Sequence, residues 1–284
     1  MQLSDRALLV SLSISQWTAR KLDRSATRQV NQLNYASDTA GRYNKSLLPA
    51  NDLLGDVHKL TSFLRHEFLR NTLPWGIDGT RILPSANYLS FMADFRKAKA
   101  DWEYLVDQFV QGYPTLQQDA QRFLGNLYDP GDYPEPSAIE QKFKMDMVVL
   151  PVPSDDFRVS LGDAEVSRLQ AEMQERYDSI AKNAMADVWN RLYERVKLIA
   201  DRCSDPKGRI HDSMLDNAKE LCDLLPRLNL TDDPNLEAMR QEVELQLVSV
   251  PTDAIRADLT VRKSTAATAE DIMAKMDAFM GVTK

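Results

Sequence analysis

Val10, Leu12 and Ile14 alternate with Ser11, Ser13 and Ser15, a period of two that predicts a strand with one face buried over about residues 8–16. Further along, the period changes. Leu53, Val57, Leu60, Leu64 and Phe68 form one apolar stripe at helical spacing, which predicts an amphipathic helix from Asp52 to Asn71, stopped upstream by Pro49 and capped by Asn51. Leu89, Met92, Phe95, Lys99, Trp102, Leu105 and Phe109 carry the same period over Ser85 to Gln111. Gly112 and Pro114 are expected to end that helix, and Thr115 with Gln118 to cap a short one through about Leu127. The longest periodic run is Asp163 to Ser204, where apolar residues from Val166 to Cys203 recur about every 3.7 residues. A helix of that length spans roughly 60 Å. It needs a long partner, expected in Ser85 to Leu127.

Between these runs lie breaks with turn chemistry. Polar residues with weak helical spacing fill Ser25 to Tyr43. The stretch TLPWGIDGTRILPSANY, Thr72 to Tyr88, holds two prolines and two glycines. Pro74 cannot continue a helix, while Gly76 and the Asp78-Gly79 pair suit a turn, so it predicts a corner. YDPGDYPEPS, Tyr128 to Ser137, is a proline-rich loop, followed by a capping pattern at Ser137 and Glu140. FKMDMVVLPVP predicts a strand near 143–151, confined to a sheet edge by Pro151 and Pro153, with a hairpin partner near 157–161. Met145 and Met147 fall on one face of it. Helices are expected through about Leu225 and from the Asp233-Pro234 start to about Leu247. Together these elements give an α+β chain, predominantly helical, with long antiparallel helices and a small antiparallel sheet of about three strands. The expected organisation is a domain over 1–204, C-terminal helices over 205–250, and a tail over 251–284 with a short amphipathic helix, Thr268 to Met280.

Charge narrows the function classes. A net charge of −7 and a pI near 5.1 disfavour generic nucleic-acid binding, which depends on Lys and Arg releasing counterions. One local exception is TARKLDRSATRQ, with Arg20, Lys21, Arg24 and Arg28 against the single acid Asp23. It reads as a solvated or partner-docking face, with DNA binding as the alternative. Cys203 and Cys222 suggest no disulfide framework, and no run approaches the roughly 18 apolar residues of a membrane span. These features point to a cytoplasmic protein that engages no membrane.

Known chemistries find little support. No Walker loop, G-x-G-x-x-G or G-x-S-x-G is present. His58 and His66 lie two helical turns apart, and Cys203, His211 and Cys222 match no common zinc spacing. Asp155 and Asp156 suit a hairpin turn, and Asp129, Asp132 and Glu135 a solvated loop, with cation binding as the weaker reading of each. Trp17, Trp75, Trp102 and Trp189 are expected in core packing. No catalytic residue, metal or cofactor is assigned.

The order LPW…DG.R.LP..NY, then QGYP, LGNLYDPGDYP, a strand ending PVP, and FRV resembles a family of proteins of unknown function encoded by bacteriophages and some bacteria. SQWTARK and YNKSLLP fit it too, so the resemblance covers about Leu8 to Ala200. It implies a phage-type product encoded near MoxR-like AAA ATPase and von Willebrand A-type genes, acting as an adaptor or substrate of an ATPase module. The expected function is therefore a non-enzymatic interaction or assembly protein, bound to such a partner or to itself as a homo-oligomer. The docking residues would be Trp75, Asp78 and Arg81 in the corner and Arg20, Lys21 and Arg24 on the basic face.

Overall fold

The computed structural model describes residues 3–76, 79–153, 163–205 and 207–281. It is predominantly helical, with a four-stranded sheet and a separate two-stranded ribbon. The chain divides into two compact units, residues 1–11, 69–91 and 148–284 in one and residues 12–68 and 92–147 in the other.

The sheet holds β1 (Ala7–Ser15), β4 (Leu73–Pro74), β5 (Thr80–Pro84) and β6 (Lys144–Pro151) in the order β4-β5-β1-β6. β1 and β6 match the sequence reading. The additional strands come from the predicted corner: Ala7 of β1 faces Pro84 and Ser11 faces Thr80, while Leu73 faces Ile82. The corner is therefore a hairpin edge. Gly76 and Gly79 take φ of 86° and 76°, a left-handed backbone that a Cβ would penalise. The strand expected near 157–161 and the Asp155-Asp156 pair lie outside the described residues.

In the first unit the principal rod is α5 (Asp163–Ser204). Its buried stripe, Ile180, Ala184, Val188, Leu192, Val196, Ile199 and Cys203, follows the sequence period. Its partner does not. α5 packs on α6 (Asp212–Leu228) and most extensively on α9 (Leu259–Met280), not on the Ser85 to Leu127 region. α9 buries Ala266, Ala269, Ile272 and Met276, and the two alanines permit close approach where larger residues would hold the helices apart. α9 begins well before Thr268, and the short α8 (Thr252–Ala257) precedes it. α7 (Pro234–Val243) starts as the sequence suggests: Asp233 accepts from the backbone N–H of Asn235 and Leu236, and its other oxygen accepts from Trp189 Nε1 at 3.0 Å.

The second unit is built on α2 (Asp52–Asn71) and α3 (Ser85–Leu124). Asn51 caps α2 by accepting from Leu54 N at 2.9 Å, as predicted. Gly112 and Pro114 do not end α3, which runs through them for 40 residues. Pro114 removes one backbone donor, but Phe109, Tyr113 and Ala120, all fully buried around it, hold the helix in register. Leu89 lies 80% exposed, because the buried face is Phe91, Met92, Phe95, Trp102, Val106, Phe109 and Tyr113. Trp102 Nε1 donates to the buried Thr61 hydroxyl at 2.8 Å, tying α3 to α2. The weak helical segment is shorter than expected: α1 spans Arg24–Leu33, capped by Asp23. Ser137 caps nothing, since the short α4 (Pro136–Ile139) starts after Glu135 without a side-chain cap.

Candidate functional site

β1 ends at Ser15, and the chain turns through Gln16–Ala19 into β2 (Arg20–Leu22), which pairs with β3 (Asn44–Ser46). The turn is fixed at several points. His58 Nε2 donates to the Trp17 carbonyl at 2.9 Å, Leu47 N donates to Ala19 O at 2.7 Å, and Ala19 takes a left-handed φ of 51°. The Trp17 ring lies edge-on to Tyr113, with centroids 5.6 Å apart.

In the ribbon Lys21 stands directly opposite Lys45. Like charges facing each other across strands repel. Asp132 from the proline loop resolves this: its carboxylate pairs with Lys21 and lies 2.7 Å from Lys45 Nζ, while Asp23 is 3.4 Å from the same ammonium. Lys45 also donates to Leu127 O at 2.6 Å. The side chains of Lys45 and Asp132 are 6% and 3% exposed, so this is a buried polar knot. Burial raises the Asp132 carboxyl, but Lys21 and Lys45 outweigh it and hold it below its ordinary range. Asp23 is lowered by the Ala26 backbone N–H and then by Lys45. For Lys45 burial works against the charge, and the two carboxylates still carry it above the usual range. Tyr133 O–H donates to Leu47 O at 2.6 Å and Tyr113 O–H to Pro134 O at 2.9 Å, fixing the loop to the ribbon and α3. Burial pushes both phenols up to about 12.

Over this knot opens a cleft of about 570 Å³, lined by Ser15, Gln16, Trp17, Thr18, Leu47 and Pro134, and by Arg20, Lys21, Gln141, Lys142, Lys144 and Asp132. Lys142 ends a short 3-10 turn and Lys144 opens β6; Phe143 and Met145 are buried, and both lysines are exposed beside them. Four cations thus line the cleft with a single carboxylate, Asp132, which is already paired with one of them, Lys21. Among the described residues no carboxylate pairs with Arg20, Lys142 or Lys144. Gln16 Oε1 is buried and has no hydrogen-bond partner among them either.

The sequence-derived docking residues separate here. Arg20 and Lys21 line the cleft, and Arg24 is exposed at the start of α1. Trp75 is 7% exposed, packed in the core with Tyr177 at 5.9 Å. Arg81 is turned onto Thr72, donating to its hydroxyl at 2.6 Å and its carbonyl at 3.0 Å. Asp78 lies outside the described residues. Trp17, Lys142 and Lys144 were missed as site residues. Only the spacing of Trp17 to Arg20 in SQWTARK could have pointed to an aromatic beside the basic run.

The alternative chemistries are not assembled among the described residues. No group of three His, Cys, Asp or Glu is placed to hold a metal ion, and Asp129 is occupied in accepting from Gly131 N at 2.9 Å. Cys203 and Cys222 are buried, and burial raises both thiols, that of Cys222 to about 12. No described helix is long and apolar enough to cross a membrane. In comparison with known proteins, the chain matches no family model, no curated protein and no solved structure.

Proposed function

We propose that this protein is a non-enzymatic binding module whose working surface is the cationic cleft, and that it acts by docking an anionic partner there. The observation that carries this reading is the convergence of Arg20, Lys142 and Lys144 on one cleft over a buried base in which Lys21 and Lys45 neutralise Asp132 and Asp23. A local field of one sign draws an oppositely charged ligand whatever the net charge of the chain. The rigid Lys45–Asp132–Asp23 knot preorganises the surface, which lowers the ordering cost of binding. An assembly role beside an ATPase module, implied by the family resemblance, is accommodated when the partner presents an acidic segment. The inward placement of Trp75 and Arg81 makes the corner a structural hairpin in this reading.

Retention on a heparin column tests it. The wild-type protein, despite its charge of −7, should be retained at low salt, and a variant carrying Arg20→Glu, Lys142→Glu and Lys144→Glu should flow through with an unchanged circular dichroism spectrum. Flow-through of the wild type would remove the reading.

A further inference from the structure

An acidic peptide and a nucleic-acid strand share a sign of charge but bring different companions. The carboxylates of a peptide can only accept hydrogen bonds, whereas a strand also brings flat bases with N–H groups on their edges. The neutral lining of the cleft suits the second. Trp17 supplies an aromatic ring beside Arg20, and Gln16 and Thr18 add neutral polar groups to the same lining. The cations also continue beyond the cleft. Arg24 and Arg28, four residues apart on one face of α1, are exposed and, among the described residues, pair with no carboxylate.

Resting on the reading of the cleft as an anion site, we propose that its ligand is single-stranded nucleic acid. Phosphates lie on Arg20, Lys142 and Lys144 and continue toward Arg24 and Arg28, while one base sits against Trp17. Positively charged grooves with aromatic platforms bind single strands in this manner. A duplex keeps its bases stacked inside and cannot offer one to Trp17. The extension along α1 favours a polymer over a free nucleotide.

The test is fluorescence anisotropy of the full chain with a labelled single strand of about twelve nucleotides of mixed sequence, beside the matching duplex, ATP as competitor, and a labelled polyglutamate peptide. The strand should bind more tightly than the duplex and resist equimolar ATP. Its affinity should fall about 20- to 130-fold between 50 and 200 mM salt, as expected for three to five neutralised phosphates. Lys142→Glu with Lys144→Glu should abolish binding, and Trp17→Leu should weaken it at least about fivefold. Because Trp17 also packs on Tyr113, the exposed lysine pair serves as the variant that leaves the fold untouched. Equal binding of duplex, or full competition by equimolar ATP, would overturn the inference. Binding of polyglutamate but not of the strand, lost in the lysine variant, would overturn it while leaving the anion site standing. Binding of neither would remove both.

Discussion

Arg81 and Arg191 share one acceptor: the Thr72 carbonyl takes a hydrogen bond from Arg81 at 3.0 Å and from Arg191 at 2.7 Å. Arg191 also donates to Arg70 O at 2.7 Å and Leu69 O at 3.2 Å, and Asp187 neutralises it at 2.7 Å. Burial and then the neighbouring Arg191 draw Arg81 below the usual guanidinium range, with Asp187 opposing. The carbonyls at the end of α2 are thus satisfied by a side chain from α5, which a lysine cannot reproduce. Arg191→Lys should lower stability by about 2–3 kcal/mol, since hydrogen bonds to charged groups contribute about 1.5–3 kcal/mol each. Urea unfolding at constant m-value measures it.

The far end of α5 uses the same device. Arg262, 8% exposed, donates to the carbonyls of Cys203 at 3.2 Å, Arg202 at 2.8 Å, Gly208 at 2.7 Å and Asp205. A Cβ on Gly208 would meet Arg202 O at 2.9 Å and Arg262 Nη2 at 3.1 Å. Gly208→Ala and Arg262→Met should each lower the thermal midpoint, and the double variant should lose much less than the sum of the two. Additive losses in a double-mutant cycle would show that the clamp does not depend on the close turn.

Trp75→Ala should cost about 3–5 kcal/mol, the usual price of truncating a large buried aromatic. A residue that served as an exposed docking anchor would cost far less, so guanidinium unfolding separates the two roles.

The knot beneath the cleft makes stability depend on pH in a defined direction. Asp132 and Asp23 are held below their ordinary values, so their contribution is complete above about pH 4 and is lost as pH falls through the lowered values. Asp132→Asn should flatten the acid limb of a plot of thermal midpoint against pH. Lys45, raised above its ordinary value, contributes fully below about pH 10.4, and that contribution is lost as pH rises through its higher folded value.

Periodicity made much of this fold legible. The stripes of α2 and α5, the alternation in β1 and the start of α7 at Asp233-Pro234 are local signals that tertiary packing reinforces. What escaped was non-local. Pro114 reads as a stop, and only the buried Tyr113 and Ala120 explain why α3 continues. Only the second half of α9, from Thr268, is legible as an amphipathic helix, and its small buried residues Ala266 and Ala269 do not announce it as the partner of α5. Ile82 lies in a strand because β1 offers β5 an edge, and Leu73 then pairs on the outer side of β5. The site was half legible: Arg20 and Lys21 stand out as a basic run, but Lys142 and Lys144 join them only through the fold, more than a hundred positions away. Lys45 gives no hint in sequence of its burial between two carboxylates.

Lysine acetylation footprinting with and without heparin, read by mass spectrometry, shows whether the cleft is the anion-binding surface. Modification of Lys142 and Lys144 should slow in the presence of the polyanion, with Lys59, whose side chain is 81% exposed on α2 outside the cleft, modified at an unchanged rate. Uniform protection of all three lysines, or protection of none, would rule out the cleft as that surface.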